Sequence, residues 1–270
     1  MRVGFYQFAP VFGDPAGNVA HVREALSDLE ADLIVLPELF NTGYQFVSEG
    51  EARDLAEPIP DGETCAALIH LACERGTHIA AGIAERDGEA IYNACVLVGP
   101  EGCVGRYRKL HLFYEEKRWF QPGQAPPPVF DVDGVRLGLM ICFDWIFPET
   151  ARMLALQGAD ILCHPANLIF TLCHQAMLIR CLENRVFAVT CNRTGRDERK
   201  GGETLAYTGG SQVVDPRGGL LVRAGEENPE GQVVEIRPER SRNKEFNEFN
   251  HIFGDRRVEV YDMINRSAVP

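Results

Sequence analysis

The stretch VRLGLMICFDWIFPE (135–149) decides how the chain folds. Leu137, Leu139 and Ile141 lie on an apolar strand that runs straight into a turn, and Cys142 stands where the strand ends. A polar, proline-bearing segment from Asp144 to Glu149 follows; Pro148 suits the first turn of a helix and Gly158 suits its end. ADILCHPA (159–166) then reads as another strand. Strand, helix, strand is the α/β unit, and such units bind ligands in the crevice at the carboxyl ends of their strands. Cys142 has that address.

The same unit is written earlier in the chain. RVGFYQF (2–8) and DLIVL (32–36) read as short buried strands. Between them Val19, Val22, Ala25, Leu26 and Leu29 recur at helical spacing, with Asn18 as the expected N-cap. Pro37-Glu38 ends the second strand. Thr64 is placed to cap a helix through about Glu74, which Gly76 stops. Strands are expected at 77–85, 91–98 and 104–107, the last two joined by the Gly99-Pro100-Glu101-Gly102 turn. A helix around 173–185, a strand at 186–192 and late strands at 206–214, 219–223 and 231–236 complete the pattern. Alternation mixed with hairpins predicts an α/β fold in which a pair of sheets is covered by helices on its outside; a doubly wound sheet would carry fewer hairpins. No repeat or linker divides the chain, so one domain is expected over 1–270. Residues 238–270, polar with scattered aromatics, are expected to form a C-terminal arm lying on the body or on a neighbouring subunit.

Composition narrows the function. A chain of 270 residues with 45% apolar content can bury a sizeable core. A net charge of −12 argues against nucleic acid as partner, because binding phosphates takes a concentrated Lys/Arg surface. No apolar run reaches the roughly 18 residues that span a bilayer, and the first residues read as a strand rather than a secretory signal. Nine cysteines, an odd number spread through apolar segments, make a poor disulfide framework. A reduced, cytoplasmic protein is expected. Cys163-His164 and Cys173-His174 are adjacent pairs without the two- to four-residue gaps of a structural zinc site, so no metal is expected.

Three residues make chemical sense together. Glu38 follows five apolar residues at a strand's carboxyl end, Lys109 sits in GRYRKLHLF (105–113), and Cys142 ends the strand already described. Taken singly, each has an ordinary reading as loop acid, surface base or core cysteine. Jointly they form a nucleophile, a base and a cation. A free thiol has a pKa near 8.5 against about 4.3 for glutamate, a gap that costs about 6 kcal/mol in water-like surroundings. Desolvation of the glutamate and an ammonium beside the sulfur would narrow it. Lys109 would also neutralise the oxyanion of a tetrahedral intermediate.

Glu38 in LPELFNTGY, Lys109 in YRKLHLF and Cys142 in GLMICFDWIFPE resemble, in order and context, the Glu–Lys–Cys signature of the carbon–nitrogen hydrolase (nitrilase) superfamily. HPAN (164–167), RCLENRVF (180–187), Asn192 and GGSQVVDPRG (209–218) extend the resemblance from residue 1 to about 260. It implies a four-layer αββα sandwich that forms a homodimer or larger homo-oligomer, and a reaction needing no cofactor or metal. Glu38 would be the general base, Cys142 the nucleophile, and Lys109 with the Phe143 backbone N–H the oxyanion stabilisers. A second glutamate after the lysine is implied as well, and the seven-residue distance from Lys109 favours Glu116 over Glu115. Cys142-Phe143-Asp144-Trp145 departs from the Cys-Trp-Glu of members that hydrolyse nitriles, which favours a small amide as substrate over a nitrile. By position next to these motifs, Tyr44, Tyr114, Phe143, Trp145 and Asn167 are expected to wall the pocket. Two competing readings are a Cys–His hydrolase using His111 or His164, and a catalytically silent binding protein of the same fold.

Overall fold

The computed structural model describes residues 1–201 and 203–265. β1 (Arg2–Gln7), β2 (Leu33–Val35) and β3 (His78–Asp87) run parallel; α1 (Pro15–Ala25) makes the first crossover, and α2 (Glu49–Leu55) with α3 (Glu63–Arg75) the second. β4 (Ala90–Gly99) and β5 (Gly102–Arg108) add as antiparallel hairpins. β14 (Glu230–Glu235) returns from far along the chain to pair antiparallel with β1. The order of this six-stranded sheet is β14-β1-β2-β3-β4-β5. After α4 (Glu116–Trp119) the second half repeats the plan. β7 (Val135–Leu139), β8 (Ile161–Ala166) and β9 (Phe187–Asn192) are parallel, with α5 (Pro148–Leu156) and α6 (Leu172–Asn184) as crossovers. β6 (Val129–Val132), β12 (Gln212–Val214) and β13 (Leu220–Arg223) complete a second six-stranded sheet, ordered β13-β12-β9-β8-β7-β6.

Side-chain alternation along the strands sets the layers. Val3, Phe5, Leu33, Val35, Cys95 and Leu97 point toward the second sheet, where Leu137, Leu139, Ile161 and Val189 meet them in one buried cluster. Their neighbours Tyr6, Ile34, Leu36, Ala94, Val96 and Val98 point the other way, onto Val22 and Leu26 at the end of α1 and onto Leu68, Leu71 and Ala72 of α3. Ala151, Leu154 and Ala155 of α5 and Met177 and Cys181 of α6 cover the outer face of the second sheet. The fold is a four-layer αββα sandwich. Strands buried on both faces explain the continuous apolar runs in the sequence.

Local details differ from the sequence reading. Asp14, not Asn18, caps α1: its side chain accepts from Gly17 N. Asn18 is buried within the helix, where its amide bonds both polar groups of Val11 and the Asn41 carbonyl, tying the helix to the loop after Glu38. Thr64 lies inside α3, whose N-cap is Gly62. The strand expected at 206–214 is only Gln212–Val214, because Gly209 and Gly210 take left-handed backbone conformations (φ 51° and 65°). In its place a separate hairpin forms from β10 (Arg196–Lys200) and β11 (Glu203–Ala206). The start of the C-terminal arm is fastened to the body: Ser241 and Arg242 bond Asp160, and the Lys244 ammonium donates to the Asn184 and Arg185 carbonyls at the end of α6. Phe246, Phe249, Val258, Val260 and Met263 farther along are exposed. Residues 266–270 of the expected arm lie outside the described residues.

Candidate active site

Glu38, Lys109 and Cys142 each follow the end of a strand. Glu38 follows β2, in a segment that continues pairing with β3: Gly82 N donates to the Pro37 carbonyl (3.1 Å), and Phe40 N to the Gly82 carbonyl (2.9 Å). A Cβ at Gly82 would sit 2.4 Å from the Glu38 Cα, so only glycine lets the strand come this close. Lys109 follows β5, held by its N–H to the Asn93 carbonyl (2.9 Å). Cys142 opens a 3₁₀ turn, Cys142–Ile146, directly beyond β7 and has a positive φ of 37°. Such a backbone costs about 1–3 kcal/mol in a non-glycine residue and persists only where its surroundings over-determine it.

The surroundings do so. The Asp144 carboxylate accepts from Ile141 N (2.9 Å), while Asp144 N donates back to the Ile141 carbonyl (3.0 Å). The same carboxylate accepts from the Tyr107 hydroxyl (2.8 Å) and pairs with His111 Nδ1 (2.7 Å), two residues either side of Lys109. Asp144 therefore clamps the Cys142 turn to the Lys109 segment. From below, His164 Nε2 donates to the Cys142 carbonyl (3.0 Å), and the Thr190 hydroxyl donates to His164 Nδ1 (3.1 Å). A carbonyl only accepts, so this pair of bonds sets the His164 tautomer.

At the centre, the Lys109 ammonium donates to Glu38 Oε1 (2.6 Å) and Glu116 Oε1 (2.8 Å), all three side chains being buried. The Asn93 amide donates to Glu38 Oε1 (2.7 Å) and, at 3.4 Å, to Glu116 Oε2. The Tyr44 hydroxyl donates to Glu116 Oε1 (2.7 Å), and the Asn167 amide to the Glu38 backbone carbonyl (2.9 Å). Glu38 Oε2 is buried and has no hydrogen-bond partner among the described residues. Burial works against the Lys109 cation, but Glu116 and Glu38 outweigh it and hold its pKa above the usual lysine range. Burial lifts Glu116 to about 7, with Lys109 opposing and Glu38 adding.

The Cys142 thiol departs from the sequence expectation. Burial first, then the charges of Glu38 and Glu116, raise its pKa well above the ordinary value; Lys109 and a hydrogen bond from the Asn167 backbone lower it by less. One ammonium facing two carboxylates leaves the site without a surplus of positive charge to favour the thiolate.

The sequence matches the family model described as Carbon-nitrogen hydrolase over residues 2–244. The chain is a carbon–nitrogen hydrolase of the nitrilase superfamily. It is 44% identical over 264 residues to a nitrilase of Pyrococcus abyssi, covering 97% of this chain and 99% of that protein. Among solved structures it is similar to a carbon–nitrogen hydrolase from Helicobacter pylori G27, with a TM-score of 0.89 at 25% identity over 100% and 99% of the two chains. It is similar too to a mutant of the amidase from Nesterenkonia sp. AN1 that shows acrylamide added at the active-site cysteine (TM-score 0.80, 27% identity, 98% and 99% covered).

In this carbon–nitrogen hydrolase Cys142 lines a cavity of about 250 Å³ with Phe143, Trp145 and Asn167, all three expected there. Tyr44 stands behind, on Glu116. Tyr114 is 61% exposed and borders a separate, much smaller cavity next to Glu116, so the structure does not bring it to Cys142. Of the adjacent glutamates, Glu116 meets Lys109, whereas Glu115 pairs with Arg118 (2.8 Å). Sequence reasoning missed Asn93, Asp144 and Phe113. Asn93 did leave a signal, as a lone amide in the buried run IYNACVLV (91–98).

Neither candidate histidine is placed as a base for Cys142. His111 is taken by Asp144 and stacks on Phe147 at 3.7 Å. His164 gives its one proton to the Cys142 carbonyl, and burial pushes its pKa down to about 4. That value carries a stability prediction. An unfolded histidine takes a proton near pH 6.5, so between about 6.5 and 4 the unfolded state binds more protons and folding weakens as pH falls, by roughly 3 kcal/mol in all. His164→Gln keeps an amide donor for the carbonyl without titrating. Urea unfolding of both proteins across this range is expected to show the steeper loss in the parent; equal slopes would remove His164 as the cause.

Proposed function

We propose that the enzyme hydrolyses a small amide through a thioester on Cys142, with Glu38 as base, Lys109 as oxyanion partner and Glu116 holding the lysine. The buried Glu38–Lys109–Glu116 cluster, whose charges act on a cysteine that lines a cavity, carries this reading. As substrate seats, Glu38 takes the thiol proton on its unpartnered Oε2 while sulfur attacks the carbonyl carbon. Two Lys109 N–H bonds go to carboxylates, which leaves the third for the oxyanion, beside the Phe143 N–H that has no acceptor within its own turn. The C–N bond breaks, the proton passes from Glu38 to the leaving nitrogen, and ammonia or an amine departs. Water then attacks the thioester, gives its proton to Glu38 and regenerates the thiol as the acid leaves. Two modest barriers replace one high one.

The Nesterenkonia amidase supports an amide substrate, as does the Cys142-Phe143-Asp144 sequence. The 44% identical nitrilase favours a second reading, in which a small nitrile is the substrate of the same cysteine. An ammonia-release screen over aliphatic amides, monoamides of dicarboxylic acids, N-carbamoyl compounds and nitriles separates them. Amides are expected to turn over fastest and Cys142→Ala to be inert; turnover of nitriles alone would overturn the amide assignment. We further propose a single domain acting in the cytoplasm as a homodimer. Nine unpaired thiols suit a reducing compartment, and exposed Leu172, Ile179 and Leu182 on α6 suit a covered face. No helix among the described residues is long and apolar enough to cross a membrane.

A further inference from the structure

The cavity above Cys142 has one chemical character. Phe113, Phe143, Trp145, Leu168, Ile169 and Phe170 supply most of its wall, and the Asn167 amide, the Trp145 indole N–H and the thiol are its polar side-chain groups. The Asn167 Oδ1, buried and without a hydrogen-bond partner among the described residues, is an acceptor and offers nothing to an anion. None of the described residues lining it is a cation. Lys109 is held by Glu38 and Glu116, and its third N–H is the one assigned to the oxyanion. Arg180, behind the wall, bonds the Trp145 and Ile146 carbonyls (3.2 and 3.5 Å) and Glu183 (3.1 Å). His111 is held by Asp144.

We infer that the acyl side of the substrate is uncharged and apolar: an aliphatic or arylalkyl amide rather than the monoamide of a dicarboxylic acid or an N-carbamoyl amino acid. This rests on the proposed amidase reading and narrows it. A carboxylate carried into this cavity would lose its hydration and gain no partner, while an alkyl or phenyl group would gain by leaving water. A cavity of about 250 Å³ has room for an alkyl or phenyl group.

Hexanamide and the monoamide of adipic acid, equal in chain length, test this by ammonia release. Hexanamide is expected to show a kcat/KM at least about 100-fold higher, the least that stranding an unpaired carboxylate in an apolar site should cost. Equal values, or the reverse order, would overturn the inference. A readout independent of turnover is alkylation of Cys142 by 2-bromohexanamide against the same reagent bearing a terminal carboxylate. Rates are followed by mass on the Cys142 peptide and normalised to each reagent's rate with free thiol. The uncharged reagent is expected to react faster by a similar factor. Phe170→Arg, at the exposed rim, is expected to shift the ratio of the two rates about tenfold toward the carboxylate reagent at low salt, whatever it does to either rate alone. No preference between the reagents in the parent would contradict the inference. Should neither amide release ammonia, the amidase reading falls, and the alkylation ratio still decides what the cavity prefers.

Discussion

Glu38→Gln is expected to lower kcat/KM by about three orders of magnitude, within the range for loss of a general base, and to leave thermal stability unchanged or slightly raised. The two halves of this result come from different oxygens. Oε1 binds Lys109 and Asn93, and a glutamine oxygen keeps both bonds. Oε2 is the buried, unpartnered atom that would receive the thiol proton, and an amide nitrogen in its place cannot. Folding loses little, because one of two carboxylates sharing a single buried ammonium becomes neutral. Steady-state kinetics with hexanamide, together with a melting curve, checks both halves. A variant that is inactive and also unfolds would point to a structural carboxylate instead of a base.

Lys109→Met has the largest expected effect on folding as well as on turnover. It strands the Glu38 and Glu116 carboxylates, both buried, with no cation between them. Removing one partner of a buried ion pair costs about 3–5 kcal/mol, and here two anions lose the same partner. The sign of the pH dependence follows. Stranded acids have folded pKa values above their unfolded ones, so the variant's stability is greatest below the unfolded value near 4.3 and is lost as pH rises through the folded ones. Urea unfolding of parent and variant is expected to converge toward acid and diverge toward neutrality. Adding Glu38→Gln and Glu116→Gln should restore stability near neutral pH without restoring turnover. A Lys109→Met protein as stable at pH 7 as the parent would mean that the cluster is not the desolvated unit the geometry describes.

Much of this site is legible in the sequence because its residues follow apolar strands. Leu33 to Val35 and Leu137 to Leu139 announce strand segments buried on both faces, and Glu38 and Cys142 come just after them. The Gly76 stop, the Pro148 start and the repeated strand–helix–strand units are local chemistry and read directly. What stays hidden is set by contacts distant in sequence. Asp144 looks like an ordinary turn acid until Tyr107 and His111 arrive from another sheet to share it. Asn18 looks like a cap because caps favour asparagine, yet Asn41 draws its side chain inward. Tyr114 adjoins the right motif but takes a left-handed backbone (φ 49°) and ends exposed. The thiol's pKa is equally out of the sequence's reach, since it depends on how many carboxylates share one lysine.

The claim that everything else serves is that Cys142 carries the acyl group between the two half-reactions. Acid quenching during steady-state turnover of hexanamide, followed by intact mass and peptide mapping, tests it directly. One hexanoyl group on the peptide containing Cys142, with neither adduct nor ammonia from Cys142→Ala, is the result expected. Continued ammonia release by Cys142→Ala, or an acyl group on any of the other eight cysteines, would contradict the account.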